Sequence, residues 1–210
     1  NSAFDLNSSI TISAEASAAS NLELFVNGNS IKTATNATAI STSYLLTSAG
    51  NLTLKAVATN GTEVKETTLN IFVKTPTVTA PKPTGLKYGI NKNMDNSVTF
   101  LLKAPLKNDV LLLGDFNNWT LDANYQMKKD GDDFWLTIPG LNINTEYAYQ
   151  YLIDYTIKVA DPYSEKILDP WTDQFIKAGN YPNLKAYPTG FTTGYVSTFL
   201  INEPAYTWNI

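Results

Sequence analysis

The chain has no histidine and no cysteine, and its 15 basic residues are all lysines, so arginine is missing as well. Without histidine or cysteine there is no Ser-His or Cys-His nucleophile pair and no imidazole or thiolate metal site. Without arginine there is no bidentate phosphate clamp. The lysines are scattered singly, the formal charge is −4 and the pI is about 4.8, which argues against nucleic acid as a partner. Charged residues make up only 16% of the chain, and no apolar run approaches the length of a membrane span. Any catalysis would rest on Asp, Glu, Lys or Tyr. The chain opens on Asn1-Ser2 with no initiator Met and no visible leader, which reads as a processed or cut polypeptide. Low charge with abundant Asn, Thr, Ser and Tyr reads as a secreted or cell-surface β protein.

What is present is strand pattern. Ile10-Thr11-Ile12-Ser13-Ala14, Leu22 to Val26, Leu52 to Val57 and Thr67 to Val73 show period-two or mixed strand character. Asn27-Gly28 and Asn60-Gly61 are hairpin signals. About seven short strands are expected in residues 1–75, an immunoglobulin-like sandwich. Residues 76–85, with Pro76, Pro81 and Pro83, read as an extended linker. Residues 86–210 read as a second β-sandwich, with a long irregular loop over 161–194. In the strand from Glu146, residues Tyr147, Tyr149, Tyr151 and Ile153 share one face and Ala148, Gln150 and Leu152 the other. Short helical turns are expected at 164–168 and 172–177. Tyr206 to Ile210 alternates like a strand and stops in mid-pattern, which predicts a polypeptide that continues. The fold class is all-β: two sandwiches and a proline-rich link.

The most informative stretch is Gly114-Asp115-Phe116-Asn117-Asn118-Trp119, which follows the apolar run Val110 to Leu113. The chain leaves a buried strand, turns, and presents an indole beside two carboxamides. An indole face matches the C–H face of a pyranose, and Asn can both donate to and accept from hydroxyls. The alternative is a core tryptophan after an Asx turn. The carboxylates say less. Asp130, Asp132 and Asp133 sit in a hairpin turn, and Asp161, Glu165, Asp169 and Asp173 recur through the long loop. An oxygen-only cluster could hold calcium, but Asp130-Gly131-Asp132 lacks the spacing of a calcium-binding hand loop, Asp161-Pro162 and Asp169-Pro170 are ordinary turn starters, and nothing in the spacing marks a hydrolytic pair. No metal, cofactor or catalytic residue is assigned.

Three motifs in order, 114–119, Tyr149-Gln150-Tyr151-Leu152-Ile153-Asp154 and Val159-Ala160-Asp161-Pro162-Tyr163, resemble the N-terminal sandwich of glycoside hydrolase family 13 enzymes. That sandwich is the isoamylase N-terminal-like, starch- and glycogen-binding module of carbohydrate-binding family 48. Residues 164–173 and Tyr181-Pro182-Asn183-Leu184 look like the version found on α-amylases of the Bacteroidetes type. The resemblance implies that Trp119 stacks on glucose, that Asn117 and Asn118 bond hydroxyls, and that a catalytic (β/α)₈ barrel follows. The family's binding lysine is Gln150 here, its second tryptophan falls near Tyr155 to Ile157, and its asparagine is Ser197.

The reading is therefore a non-catalytic N-terminal portion of a starch-degrading enzyme that binds α-glucan weakly. Trp119, Asn117, Asn118, Gln150, Tyr155 and Ser197 form the candidate site, and the partners are an α-glucan polysaccharide and a downstream catalytic domain. The alternative is a structural scaffold that packs against that domain without touching sugar.

Overall fold

The structure is a computed structural model, which describes residues 3–203. The expected terminal strand over 206–210 lies outside the described residues. Among the described residues, regular structure is almost wholly β, and no helix is long and apolar enough to cross a membrane. The chain divides into two compact units, Asn1–Pro76 and Thr77–Ile210.

The first unit contains β1 (Ala3–Phe4), β2 (Ser9–Val26), β3 (Asn29–Leu45), β4 (Gly50–Asn60) and β5 (Glu63–Val73), in the order β1-β5-β4-β2-β3. The seven short strands expected from the sequence are here five, because β2 and β3 form one long hairpin of 18 and 17 residues. Residues 9–15 of β2 pair only with β3, while residues 21–26 also pair with β4. Register shifts between Glu15 and Leu22 separate the two halves, and such irregularities bend a strand. Ile12 and Ile40 from the first half are buried in one cluster with Leu22, Leu24, Leu52 and Leu54. The hairpin thus folds back to make two layers from one continuous sheet. Asn27 and Gly28 take positive φ at the turn, as their sequence signal required.

Among its described residues the second unit has two sheets. β6 (Gly89–Lys92), β7 (Val98–Lys103), β9 (Lys128–Asp130) and β10 (Asp133–Ile138) form one, in the order β6-β7-β10-β9. The other contains β8 (Val110–Gly114), β11 (Glu146–Ile153), β12 (Ile157–Val159), β13 (Lys166–Leu168) and β14 (Val196–Leu200). The core between them takes alternate residues: Phe100 and Leu102 from β7, Val110 and Leu112 from β8, Tyr149, Tyr151 and Ile153 from β11, and Phe199 from β14. Residues 164–168, expected as a helical turn, give strand β13 instead, because backbone pairing with β14 outweighs local preference. A single 3₁₀ turn, Asp173–Phe175, forms in the other expected place.

The proline-rich segment is not free-standing beyond Pro76. Lys129 donates its backbone N–H to Val78 at 2.9 Å, Ala80 donates to Lys129 at 3.0 Å, and the Trp135 Nε1 donates to the Ala80 carbonyl at 3.0 Å. The segment lies along the open edge of β9, a position that tolerates the missing N–H groups of Pro81 and Pro83.

Candidate functional site

The 114–119 stretch leaves β8 where that strand crosses β11. Gly114 pairs with Tyr149, and a Cβ at Gly114 would lie 2.6 Å from the Ala148 carbonyl and 2.8 Å from the Phe116 ring. Only glycine permits that approach. A 3₁₀ turn over Asp115–Asn117 follows, and then Asn118 and Trp119 both take left-handed backbone, at φ 52 and 58. A bulky residue at positive φ is uncommon, and such backbone costs on the order of 1–3 kcal/mol per residue. The surroundings hold it there. The Trp119 backbone N–H donates to the Gly114 carbonyl at 3.0 Å, and its indole Nε1 donates to Asp115 Oδ1 at 3.0 Å.

Asp115 is the hub of this turn, and the sequence reading gave it no role. Its Oδ2 accepts the Ala148 backbone N–H at 2.8 Å and pairs with Lys185 Nζ at 2.9 Å. One carboxylate therefore ties the indole, strand β11 and the long loop together.

The long loop crosses the outer face of the β11–β14 sheet. Ala148, Leu168 and Val196 are buried on that face, and Trp119, Leu184 and Tyr187 pack on them. Trp119 is half-buried. Its open side forms a cleft of about 480 Å³ with Asn118, Tyr187, Pro188, Thr189 and Phe191. Phe191 is exposed, and the Tyr187 hydroxyl donates to the Gly194 carbonyl at 2.8 Å. The cleft thus pairs aromatic faces with an exposed carboxamide, the chemistry that suits a neutral sugar.

The remaining expected site residues lie elsewhere. Asn117 is 7% exposed. Its Oδ1 accepts the Gly114 N–H at 3.0 Å and its Nδ2 donates to the Leu112 carbonyl at 2.9 Å, so it braces the turn rather than reaching outward. Gln150 is 1% exposed, beneath the loop. Its Nε2 donates to the carbonyls of Thr193 at 3.0 Å and Tyr195 at 2.6 Å, and its Oε1 accepts the Thr192 hydroxyl. Ser197 is fully buried, its hydroxyl accepting the Asp161 backbone N–H at 2.7 Å. Tyr155 is in the β11–β12 turn beyond Ile153, which pairs with Val110 at the opposite end of β8 from Gly114 and the Trp119 turn. Its hydroxyl donates to Gln126 Oε1 at 3.2 Å. Only Trp119 and Asn118 share the cleft. Asp115, Tyr187 and Phe191 complete it, and of these only Asp115 lay within the motif.

Asp130, Asp133, Asp161, Asp169 and Asp173, five of the acidic residues weighed as ligands, have protein partners. Asp161 Oδ2 accepts the hydroxyls of Tyr149 at 2.7 Å and Tyr151 at 3.0 Å, and burial with the nearby Asp161 charge holds both tyrosines well above their usual pKa. Asp130 and Asp133 pair with Lys82. Asp169 accepts the Thr172 hydroxyl at 2.6 Å, and hydrogen bonds from Thr172 and the Trp171 backbone lower its pKa. Among the described residues no three such side chains gather as a metal site would require.

Residues 87–172 match the family model of carbohydrate-binding module 48, the isoamylase N-terminal domain. A 1,4-alpha-glucan branching enzyme of Clostridium perfringens is 32% identical over 80 residues, which are 36% of this chain and 12% of that protein. The 1,4-alpha-glucan-branching enzyme of Yarrowia lipolytica is 41% identical over 54 residues, 25% of this chain and 8% of that protein. The matches thus span a small fraction of these relatives. Among solved structures, the pullulanase of Anoxybacillus sp. LM18-11 shares 17% identity at a TM-score of 0.31, covering 77% of this chain and 25% of that one.

Proposed function

We propose that residues 87–172, which match the family model of carbohydrate-binding module 48, make the chain a non-catalytic α-glucan-binding portion of a secreted or surface-attached starch-degrading enzyme, of the α-amylase kind. Its substrate contact is the cleft at Trp119. The observation that carries this is the backbone there: two successive left-handed residues, one of them tryptophan, present a half-open indole beside Asn118, Tyr187 and Phe191. Strain of this kind is characteristic of ligand sites.

The binding is weak. A sugar face that removes roughly 60 Å² of apolar surface from water contributes about 1.5 kcal/mol. Two or three hydrogen bonds add about 0.5 to 1.5 kcal/mol each, before ordering costs. A dissociation constant on the order of 0.2 to 1 mM follows. For a site tethered to a catalytic domain and acting on a polymer, effective concentration makes that useful.

One observation favours the scaffold reading. The loop seals Gln150, and Ser197 is buried on the core side of β14, so neither position that the family resemblance assigns to sugar is open, while Trp171 and Phe175 stand exposed on the loop. Migration in native gels with and without soluble amylopectin separates the two. The glucan-binding reading predicts retardation that survives removal of residues 1–76 and disappears in Trp119→Ala. Unchanged migration of the intact chain transfers the role to the scaffold reading.

A further inference from the structure

A second cleft, of about 670 Å³, opens between β6 and the β13–β14 edge of the second unit. This is within the range of roughly 300–1,000 Å³ usual for ligand sites. Three exposed tyrosines stand in its aromatic lining, beside the buried Tyr149 and Phe199. Tyr88 and Tyr163 stack at a centroid distance of 5.3 Å, and they are 36% and 52% exposed. Tyr181, 45% exposed, stands across the cleft with Lys166 Nζ 4.9 Å from its ring centroid.

The tyrosine pair is held in place. The Tyr88 hydroxyl donates to Asp133 Oδ1 at 3.2 Å, and the Tyr163 backbone N–H donates to Asp161 Oδ1 at 2.8 Å. Gly89, at φ 91, lets β6 pass directly beneath Tyr163, since a Cβ there would lie 2.9 Å from the Tyr163 Cβ. Any other residue would push the ring away.

The polar lining selects the ligand's charge. Lys87, Lys92 and Lys166 are balanced by Glu146, Glu165 and Glu203, so the cleft has no net charge to attract an anion or a cation. Lys166 and Glu146 form a 2.7 Å ion pair that offers fixed donors and acceptors side by side. Thr198, 5% exposed, lines the same cleft, and its hydroxyl is the one buried side-chain polar atom without a hydrogen-bond partner among the described residues. Rigid aromatic faces, paired donors and acceptors and zero net charge together describe a receptor for an uncharged polyhydroxyl chain.

We propose that this cleft is a second saccharide site, in which Tyr88, Tyr163 and Tyr181 stack on a short α-glucan segment and Lys166 and Glu146 bond its hydroxyls. The choice of α-glucan rests on the function proposed above, whereas the site itself is separate from Trp119. Two weak sites on one module would engage a polymer together more strongly than either alone.

The test is an NMR titration of the chain, with labelled tyrosine rings and tryptophan indoles, using maltoheptaose up to about 10 mM, roughly ten times the weaker constant expected at Trp119. The proposal predicts ring shifts at Tyr88, Tyr163 and Tyr181 in the wild type and equally in Trp119→Ala. Tyr163→Ala should abolish the shifts at Tyr88 and Tyr181 and leave the Trp119 indole response intact. Tyr181→Ala, on an exposed loop ring, repeats the test without touching β6. Tyrosine rings that stay silent while the Trp119 indole responds overturn the second site alone. Silence of both groups overturns the second site and the glucan reading together. Tyrosine shifts that vanish in a folded Trp119→Ala variant also overturn it as an independent site.

Discussion

The side-chain amide of Gln150 donates to the Tyr195 carbonyl at 2.6 Å, fixing the end of the long loop to the middle of strand β11. Thr192 and Thr193 meet the same amide, so one buried glutamine satisfies three loop groups. Replacing it with alanine strands those groups under the loop. Gln150→Ala should destabilise the second unit by about 1–3 kcal/mol. It should also speed proteolytic cleavage within 184–195. Denaturant unfolding and limited proteolysis report both effects, and unchanged values in both would show that the loop is held without Gln150.

Asp115 gives a sharper case, because a change of one atom suffices. Its two oxygens accept from the Trp119 indole and the Ala148 backbone, and one also meets Lys185. In Asp115→Asn an amide N–H must face one of those donors, whichever way the side chain turns. A loss of about 1–3 kcal/mol is expected, together with a changed Trp119 emission spectrum. Wild-type stability in Asp115→Asn would contradict the hub role.

Asp154 predicts an acid limb to stability. Its Oδ1 accepts the backbone N–H groups of Asn108 at 2.9 Å and Asp109 at 3.1 Å. Burial works to raise its pKa, but those two donors and Lys107 outweigh burial, and the value falls below the ordinary 3.8. A folded-state pKa below the unfolded one gives stability that is present above the unfolded value and lost as pH falls through the folded one. Unfolding followed from pH 6 downwards should therefore show a decline below the ordinary carboxylate pKa, and Asp154→Asn should flatten it. An identical acid limb in the variant would assign the decline to other groups.

Much of this was legible in short stretches. The alternation in β11 separates the buried Tyr149, Tyr151 and Ile153 from Ala148 and Gln150, because strand geometry imposes a period of two. The run Val110 to Leu113 and its glycine turn announce β8 and the Trp119 bend for the same local reason. The loop cover was not legible. Gln150 meets residues 42 to 45 positions away, and nothing in a glutamine on a strand marks whether it faces a sugar or a loop backbone. The long β2–β3 hairpin was hidden differently: Glu15 to Asn21, rich in Ala and Ser, has no β-branched or aromatic residue to join the strand patterns at 10–14 and 22–26, whereas paired backbone carries the strand through with a bend.

The central claim is that Trp119 is a sugar platform and not only a half-buried core residue. Titrating maltoheptaose into the chain while following tryptophan emission tests it most directly, with Trp119→Phe and Trp119→Ala in parallel and circular dichroism to check folding. The account predicts a saturable change with a midpoint on the order of 0.2 to 1 mM. It predicts a weaker response in Trp119→Phe and none in a folded Trp119→Ala. No response in the wild type at about 10 mM, or a wild-type midpoint retained in Trp119→Ala, would contradict it.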